Sequence, residues 1–212
     1  MRKYFFLTSL ALALLIPSFA LAADKPVTGC SPQYAAITDS AKVIFEGTGD
    51  LDITVITDPL CWHCRLGHKL LNEYPKLYGK VRMVFFPRTQ FIGSDMAAWI
   101  LEDAAGTDSL KDKVDFAYKH LRQPTTEDIT EARMVVLSQF LVFFPEMLEG
   151  TSMEELYLRL QNDHEAHVLE TARLCEEAGL AGTPVLFAGK VVLVGYGAGP
   201  WIKALEEKQA CD

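Results

Sequence analysis

The sequence predicts one α/β domain carrying a helical insertion. Three observations predict it. A strand–helix–strand unit runs from residue 51 to residue 86, a helix–hairpin–helix unit runs from about 162 to 208, and the stretch between them, about 94–161, has helical periods and no convincing strand. The chain has 212 residues, half of them apolar, enough to bury a core without staples. Its 20 basic and 28 acidic residues give a net charge of −8, and no basic run is long enough to track a phosphate backbone, so nucleic acid is not an expected partner. There is no internal repeat and no low-complexity segment.

The elements follow in order. Arg2 and Lys3 precede the apolar run Tyr4 to Ile16, which ends in Pro17 and the small-residue pattern Ala20-Leu21-Ala22. Residues 1–22 therefore read as a cleaved signal peptide, because the apolar stretch is shorter than the roughly 20 residues of a spanning helix. A lipoprotein signal at Val27-Thr28-Gly29-Cys30 is disfavoured by Asp24, Lys25 and Pro26, which separate it from the apolar run. The mature chain, 23–212, is then acidic, exported and one domain. Tyr34, Ile37, Ala41, Ile44 and Phe45 recur near helical spacing from Ser31 to about Glu46, predicting a short leading helix before the break at 47–50.

The β-branched, alternating run Leu51 to Thr57 predicts a strand stopped by Asp58-Pro59. From Cys61, the residues Leu66, Leu70, Leu71, Tyr74, Leu77 and Tyr78 predict an amphipathic helix kinked at Pro75 and closed by Gly79. Val81 to Phe86 is a second strand. In the insertion, Ala97 to Leu101, Val114 to Leu121 and Met134 to Phe144 are each helical in period. A further helix is expected from Asn162 or Asp163 to Glu177. Pro184 to Phe187 and Val191 to Val194, joined by Ala188-Gly189-Lys190, predict an antiparallel hairpin, and a last helix spans about Pro200 to Lys208.

The chemistry is concentrated at Cys61-Trp62-His63-Cys64, a Cys-x-x-Cys at a strand-to-helix junction. In an exported chain, disulfides persist and redox-active thiols are plausible. If the helix starts at Cys61, the two thiols share its first turn, close enough to join. The first thiol then faces unpaired N–H groups and the positive end of the helix dipole, which lower its pKa and make Cys61 the exposed nucleophile. Cys64, one turn deeper, resolves the mixed disulfide. A protonated His63 between them stabilises the thiolate and so makes the disulfide a stronger oxidant. Trp62 either offers an apolar surface to substrate chains or packs on the helical lobe. Two rival readings of the pair are a soft-metal site with His63 and His68, and a structural disulfide without turnover. Cys175 falls on the apolar side of its helix as a buried thiol. Cys30 and Cys211 flank the folded part and either tie the termini together or remain free. His120, His164 and His167 read as surface residues.

The stretch Ile53 to Cys64 with its following helix, and Gly182-Thr183-Pro184-Val185-Leu186-Phe187 with Gly189-Lys190 and Gly195, together resemble the thioredoxin superfamily, specifically the exported Dsb thiol–disulfide oxidoreductases. About 110 residues outside the insertion carry the resemblance. It implies a thioredoxin-like fold with a helical insertion, a cis bond before Pro184 and the placement of that proline beside the Cys-x-x-Cys. Proline at a strand's first residue also leaves neighbouring backbone groups free to bind an extended chain, with Thr183 offering them. His63 and the insertion resemble the DsbA-like branch, while Asp58 and Thr183 resemble the DsbC-DsbG-like isomerase branch. Trp62 replaces the small residue or proline usual after the first cysteine. Val55 stands where many relatives carry a buried acid, which leaves the proton relay for Cys64 unassigned.

The expected activity is a periplasmic thiol–disulfide oxidoreductase with catalytic Cys61, Cys64 and His63 and substrate-binding Trp62, Thr183 and Pro184. It needs no cofactor and no metal. Its expected partners are exported proteins with reduced or mispaired cysteines and a membrane redox protein that resets it. The alternatives are an isomerase or reductase of the same fold, or a metal-handling protein using the Cys/His cluster. Only 28 residues, Ala23 to Asp50, separate the signal from the first catalytic strand. That is too few for the added dimerisation domain of the isomerases, so a monomer acting as oxidant is expected.

Overall fold

A computed structural model describes residues 28–211; the signal-peptide reading, 1–22, lies outside them. One five-stranded mixed sheet forms the centre, in the order β1-β3-β2-β4-β5. Its strands are β1 (Val43–Glu46), β2 (Ile53–Thr57), β3 (Lys80–Phe85), β4 (Val185–Ala188) and β5 (Val191–Val194). The helices are α1 (Pro32–Asp39), α2 (Trp62–Glu73), α3 (Ser94–Asp103), α4 (Leu110–Lys119), α5 (Ile129–Phe143), α6 (Met153–Glu177) and α7 (Ala198–Glu207). The β2–α2–β3 unit is parallel, with Val55 opposite Met83, while β2 and β4 run antiparallel, with Val55 opposite Leu186.

Alternation along the strands splits the core in two. Ile56, Val84, Phe86, Val185 and Phe187 meet Tyr34, Ile37 and Cys175 of α1 and α6 on one face. Val55, Met83, Phe85 and Leu186 meet Cys64, Leu70, Trp201 and the insertion helices on the other. All five residues of β2 are buried, as befits the central strand that delivers the chain to the Cys-x-x-Cys. Gly67 in α2 has a packing reason. A β-carbon there would lie 2.8 Å from the Trp201 ring, so only glycine lets α2 and α7 approach this closely.

Four expectations are corrected. The leading helix stops at Asp39, and Val43–Glu46 pairs antiparallel with β3 as an edge strand. Pro75 ends α2 rather than kinking it. It has no N–H for the helix ladder and restricts the residue before it, and a short 3₁₀ turn, Pro75–Leu77, follows. The insertion does not close near Gln161, because α6 runs unbroken for 25 residues from a Ser152/Glu155 capping box. Its first half packs in the helical lobe, and its second half lies on the sheet.

His164 and His167 are the fourth correction, because α6 presents them to acids rather than to solvent. His167 Nδ1 lies 2.8 Å from the buried Glu102 carboxylate, and His164 Nε2 lies 3.3 Å from Asp103. His120 is exposed, as expected.

Cys30 and Cys211 are joined by a disulfide across 181 residues of sequence. The two end segments meet at the β4–β5 turn. Gly29 N–H donates to the Lys190 carbonyl at 3.1 Å, and Lys190 N–H donates to the Gln209 carbonyl at 2.7 Å. Gly189 there has φ +56°, and a β-carbon would overlap the Gln209 carbonyl oxygen at 2.0 Å.

Candidate active site

Cys61 is the N-cap of α2, extended at φ −71° and ψ 123°, so its side chain sits where the first helical N–H groups have no intrahelical partner. The Asp58 carbonyl accepts from Cys61 N–H at 3.1 Å, closing the turn that converts β2 into α2. Across from it, the Thr183–Pro184 bond is cis, and the Thr183 carbonyl accepts from the Cys61 thiol at 3.7 Å. The structure thus brings Cys61, Cys64, Thr183 and Pro184 to one place from segments more than 120 residues apart in sequence.

The two thiols differ in electrostatics more than in cover. Cys61 is 5% exposed and Cys64 2%, so the Cys61 thiol lies just beneath the surface rather than on it, a correction to the expected open thiol. The Cys61 pKa is pulled below the ordinary thiol range because the Cys64 thiol donates to its sulfur. Burial opposes this, while the backbone N–H groups of Cys64 and His63 and the side chain of Thr183, as distinct from its carbonyl, add to it. The Cys64 pKa is pushed up, first by burial and then by the hydrogen bond and charge of Cys61. Such a pair holds one thiolate and one thiol.

His63 acts on Cys61 through its backbone N–H, and its imidazole is exposed, with no hydrogen bond or ion pair among the described residues. Trp62, next to Cys61 in sequence, is 66% exposed. His68 is buried under the helix, its Nε2 2.9 Å from both Asp115 Oδ1 and Asn72 Nδ2, and its ring is stacked on Tyr118 at 4.8 Å. That arrangement turns it away from a shared site with His63. Among the described residues, no group of three or more His, Cys, Asp or Glu side chains is placed to hold a metal ion.

Sequence reasoning left one residue of the site without a role. Asp58 is fully buried, and its own backbone N–H donates to the Cys64 sulfur at 3.4 Å. Its carboxylate accepts from Leu60 N–H at 2.8 Å, Arg88 N–H at 2.9 Å and the Ser94 hydroxyl at 3.1 Å. Burial outweighs these donors and raises its pKa to about 7. The available signal was its position three residues before Cys61, at the end of a buried strand. Ser94 opens α3, so the insertion helps to fix this acid. Beside it, the buried Tyr118 and Thr57 hydroxyls are 2.9 Å apart.

No protein-family model matches the sequence, and no curated protein matches it either. Solved structures do resemble it. A thioredoxin-like oxidoreductase from Silicibacter pomeroyi aligns over 80% of this chain and 95% of its own, at 18% identity and a TM-score of 0.53. Alpha-DsbA1 from Wolbachia pipientis aligns over 78% and 89%, at 13% identity and 0.56. ScsC from Proteus mirabilis aligns over 85% and 80%, at 16% identity and 0.58. The fold shared with these structures is thioredoxin-like.

Proposed function

We propose that this thioredoxin-like domain is a thiol–disulfide oxidoreductase whose Cys61–Cys64 pair exchanges with cysteines of exported proteins, acting as oxidant. One observation carries the reading. Cys61 stands at the N-cap position of α2 opposite the Thr183 carbonyl and its pKa is lowered, while that of Cys64 beside it is raised. A substrate thiolate attacks the Cys61 sulfur of the oxidised pair, the Cys61–Cys64 bond breaks, and Cys64 leaves as a thiolate that takes up a proton. A second substrate thiolate then attacks the substrate sulfur of the mixed disulfide. The substrate leaves oxidised, and Cys61 leaves as thiolate. A stabilised Cys61 thiolate is a good leaving group, which favours this direction.

Asp58 is the acid proposed to exchange the Cys64 proton: its backbone N–H lies 3.4 Å from the Cys64 sulfur, and its carboxyl, with a pKa of about 7, is buried next to that contact. Thr183 and Pro184 present the edge on which an extended substrate lies, and the exposed Trp62 contacts its side chains. The setting proposed is the periplasm, with a monomeric enzyme reset by a membrane redox protein. The test is Cys64→Ser, which should accumulate mixed disulfides through Cys61, combined with oxidation of a reduced model protein and reactivation of a scrambled one. Oxidation faster than reactivation supports the oxidant. The reverse order, with a stable dimer on light scattering, makes it an isomerase.

A further inference from the structure

Next to Trp62, the residue that follows Cys61, lies a cavity of about 390 Å³ between the start of α2 and the end of α4. Trp62, Arg65, Leu66, Lys69, Tyr118 and Lys119 form most of its wall, and no acidic residue lines it. Three cations therefore face one pocket in a chain whose net charge is −8. Arg65 is the least satisfied of them. One guanidinium nitrogen donates to the Leu121 carbonyl, Nε is buried without an acceptor, and no carboxylate pairs with it among the described residues. Its backbone N–H donates to the Cys61 carbonyl at 3.1 Å, which places it one helical turn from Cys61 on the same side of α2.

The other two cations have acid partners at the rim. Lys69 reaches Glu73 at 3.8 Å with both side chains largely exposed, a weak pairing. Lys119 lies 3.0 Å from Asp115, which also serves Lys111 and His68. Burial lowers the His68 pKa against the pull of Asp115, which disfavours a fourth positive charge at the pocket.

We infer that this pocket receives an acidic side chain lying within a few residues of the substrate cysteine, so that the enzyme selects thiols by their local negative charge. The inference rests on the exchange activity proposed above and adds a substrate class to it. The Leu66 side chain, the aliphatic stem of Lys69 and the Trp62 ring supply apolar walls for the methylenes of a glutamate, while the positive charges of Arg65, Lys69 and Lys119 attract its carboxylate. The overall negative charge repels acidic proteins at long range, but ionic strength near physiological values screens it beyond about 8 Å. Selection therefore acts on the contacting segment, not on the whole substrate.

The experiment compares single-cysteine peptides carrying Glu, Gln or Lys beside the cysteine, reacted with the oxidised protein and corrected for the thiolate fraction of each peptide. Dithiothreitol serves as the uncharged reductant. The Glu peptide should react about tenfold faster than the Lys peptide, the effect of one well-placed charge contact. In Lys69→Glu that preference should fall below about threefold, with the dithiothreitol rate unchanged. Alkylation gives a second readout that needs no disulfide exchange. At Cys61 of the reduced protein, the rate ratio of iodoacetate to iodoacetamide should exceed that of free cysteine, and Lys69→Glu should lower it. Equal rates for the Glu and Lys peptides, or a preference that survives Lys69→Glu, overturns the pocket assignment. Failure of dithiothreitol to reduce the pair would instead remove the exchange activity, and the alkylation ratio would then decide the pocket alone.

Discussion

Cys61 and Cys175 are the same residue at nearly the same depth, 5% and 0% exposed, and their thiols are driven in opposite directions. Cys175 sits on α6 among Tyr34, Ile37, Val84 and Val185, and burial pushes its pKa up to about 12. Cys61 is also penalised by burial, yet its pKa falls, because a thiol and two backbone N–H groups converge on its sulfur at the start of α2. Depth alone therefore does not say what a cysteine does. The donors available at that depth decide it.

The largest expected effect breaks the comparison at its chemical end. Cys61→Ser should reduce disulfide exchange to background, while Cys175→Ala should leave it within about twofold and cost only stability, roughly 1–3 kcal/mol for a small cavity, read from the urea midpoint. A comparable loss of exchange in both variants would mean that the two thiols are not functionally distinct. Alkylation across pH sharpens the contrast. Cys61 should react well below pH 8, Cys64 should lag it, and Cys175 should react only once the protein unfolds, which peptide mapping after a timed quench will show.

Asp58 comes next. Asp58→Asn should slow the step in which Cys64 leaves and takes up its proton by about a hundredfold, in the range of a lost general acid–base group, and flatten the rate profile near neutrality. The same group gives a stability signature. In the native protein it holds its proton up to about pH 7, whereas the unfolded chain loses it near 4. Its contribution is therefore fully present at low pH and is lost as pH rises from about 4 to about 7. Urea midpoints across that range should carry this slope in the wild type and lack it in Asp58→Asn. The smallest effect is expected at His63, where alanine keeps the backbone N–H. Its reactivity profile should move by less than about threefold, and a larger shift would restore the imidazole as the stabiliser of the thiolate.

The β2–α2 junction and the β4–β5 hairpin were legible because their signals are local. A β-branched run, a helix carrying a Cys-x-x-Cys in its first turn and a proline heading a short hairpin each fit within a dozen residues. What escaped depended on partners far along the chain. The four residues Val43–Glu46 suit a helix period as well as a strand, and only β3 decides between them. The acid partners of His164 and His167 lie some 60 residues away, on α3. Asp58 was visible as a residue, but its burial depends on Arg88 and Ser94, 30 and 36 residues further on. Cys30 and Cys211 had two readings, and the crossing of both end segments at the β4–β5 turn brings the two sulfurs together.

That crosslink makes the chain between residues 30 and 211 a covalent ring. A single peptide-bond cut anywhere in a ring opens it without releasing a piece, so a protease that nicks one exposed loop leaves a molecule of unchanged mass on a non-reducing gel. Force applied at the two ends would likewise pass through the sulfur bridge and spare the sheet. Reduction turns the ring into a thread and returns loop-closure entropy to the unfolded chain, up to about 5 kcal/mol for a loop this long. A domain proposed to trade disulfides with other proteins thus carries one of its own, at the opposite end of β4 from Pro184, in a bond it is not expected to trade.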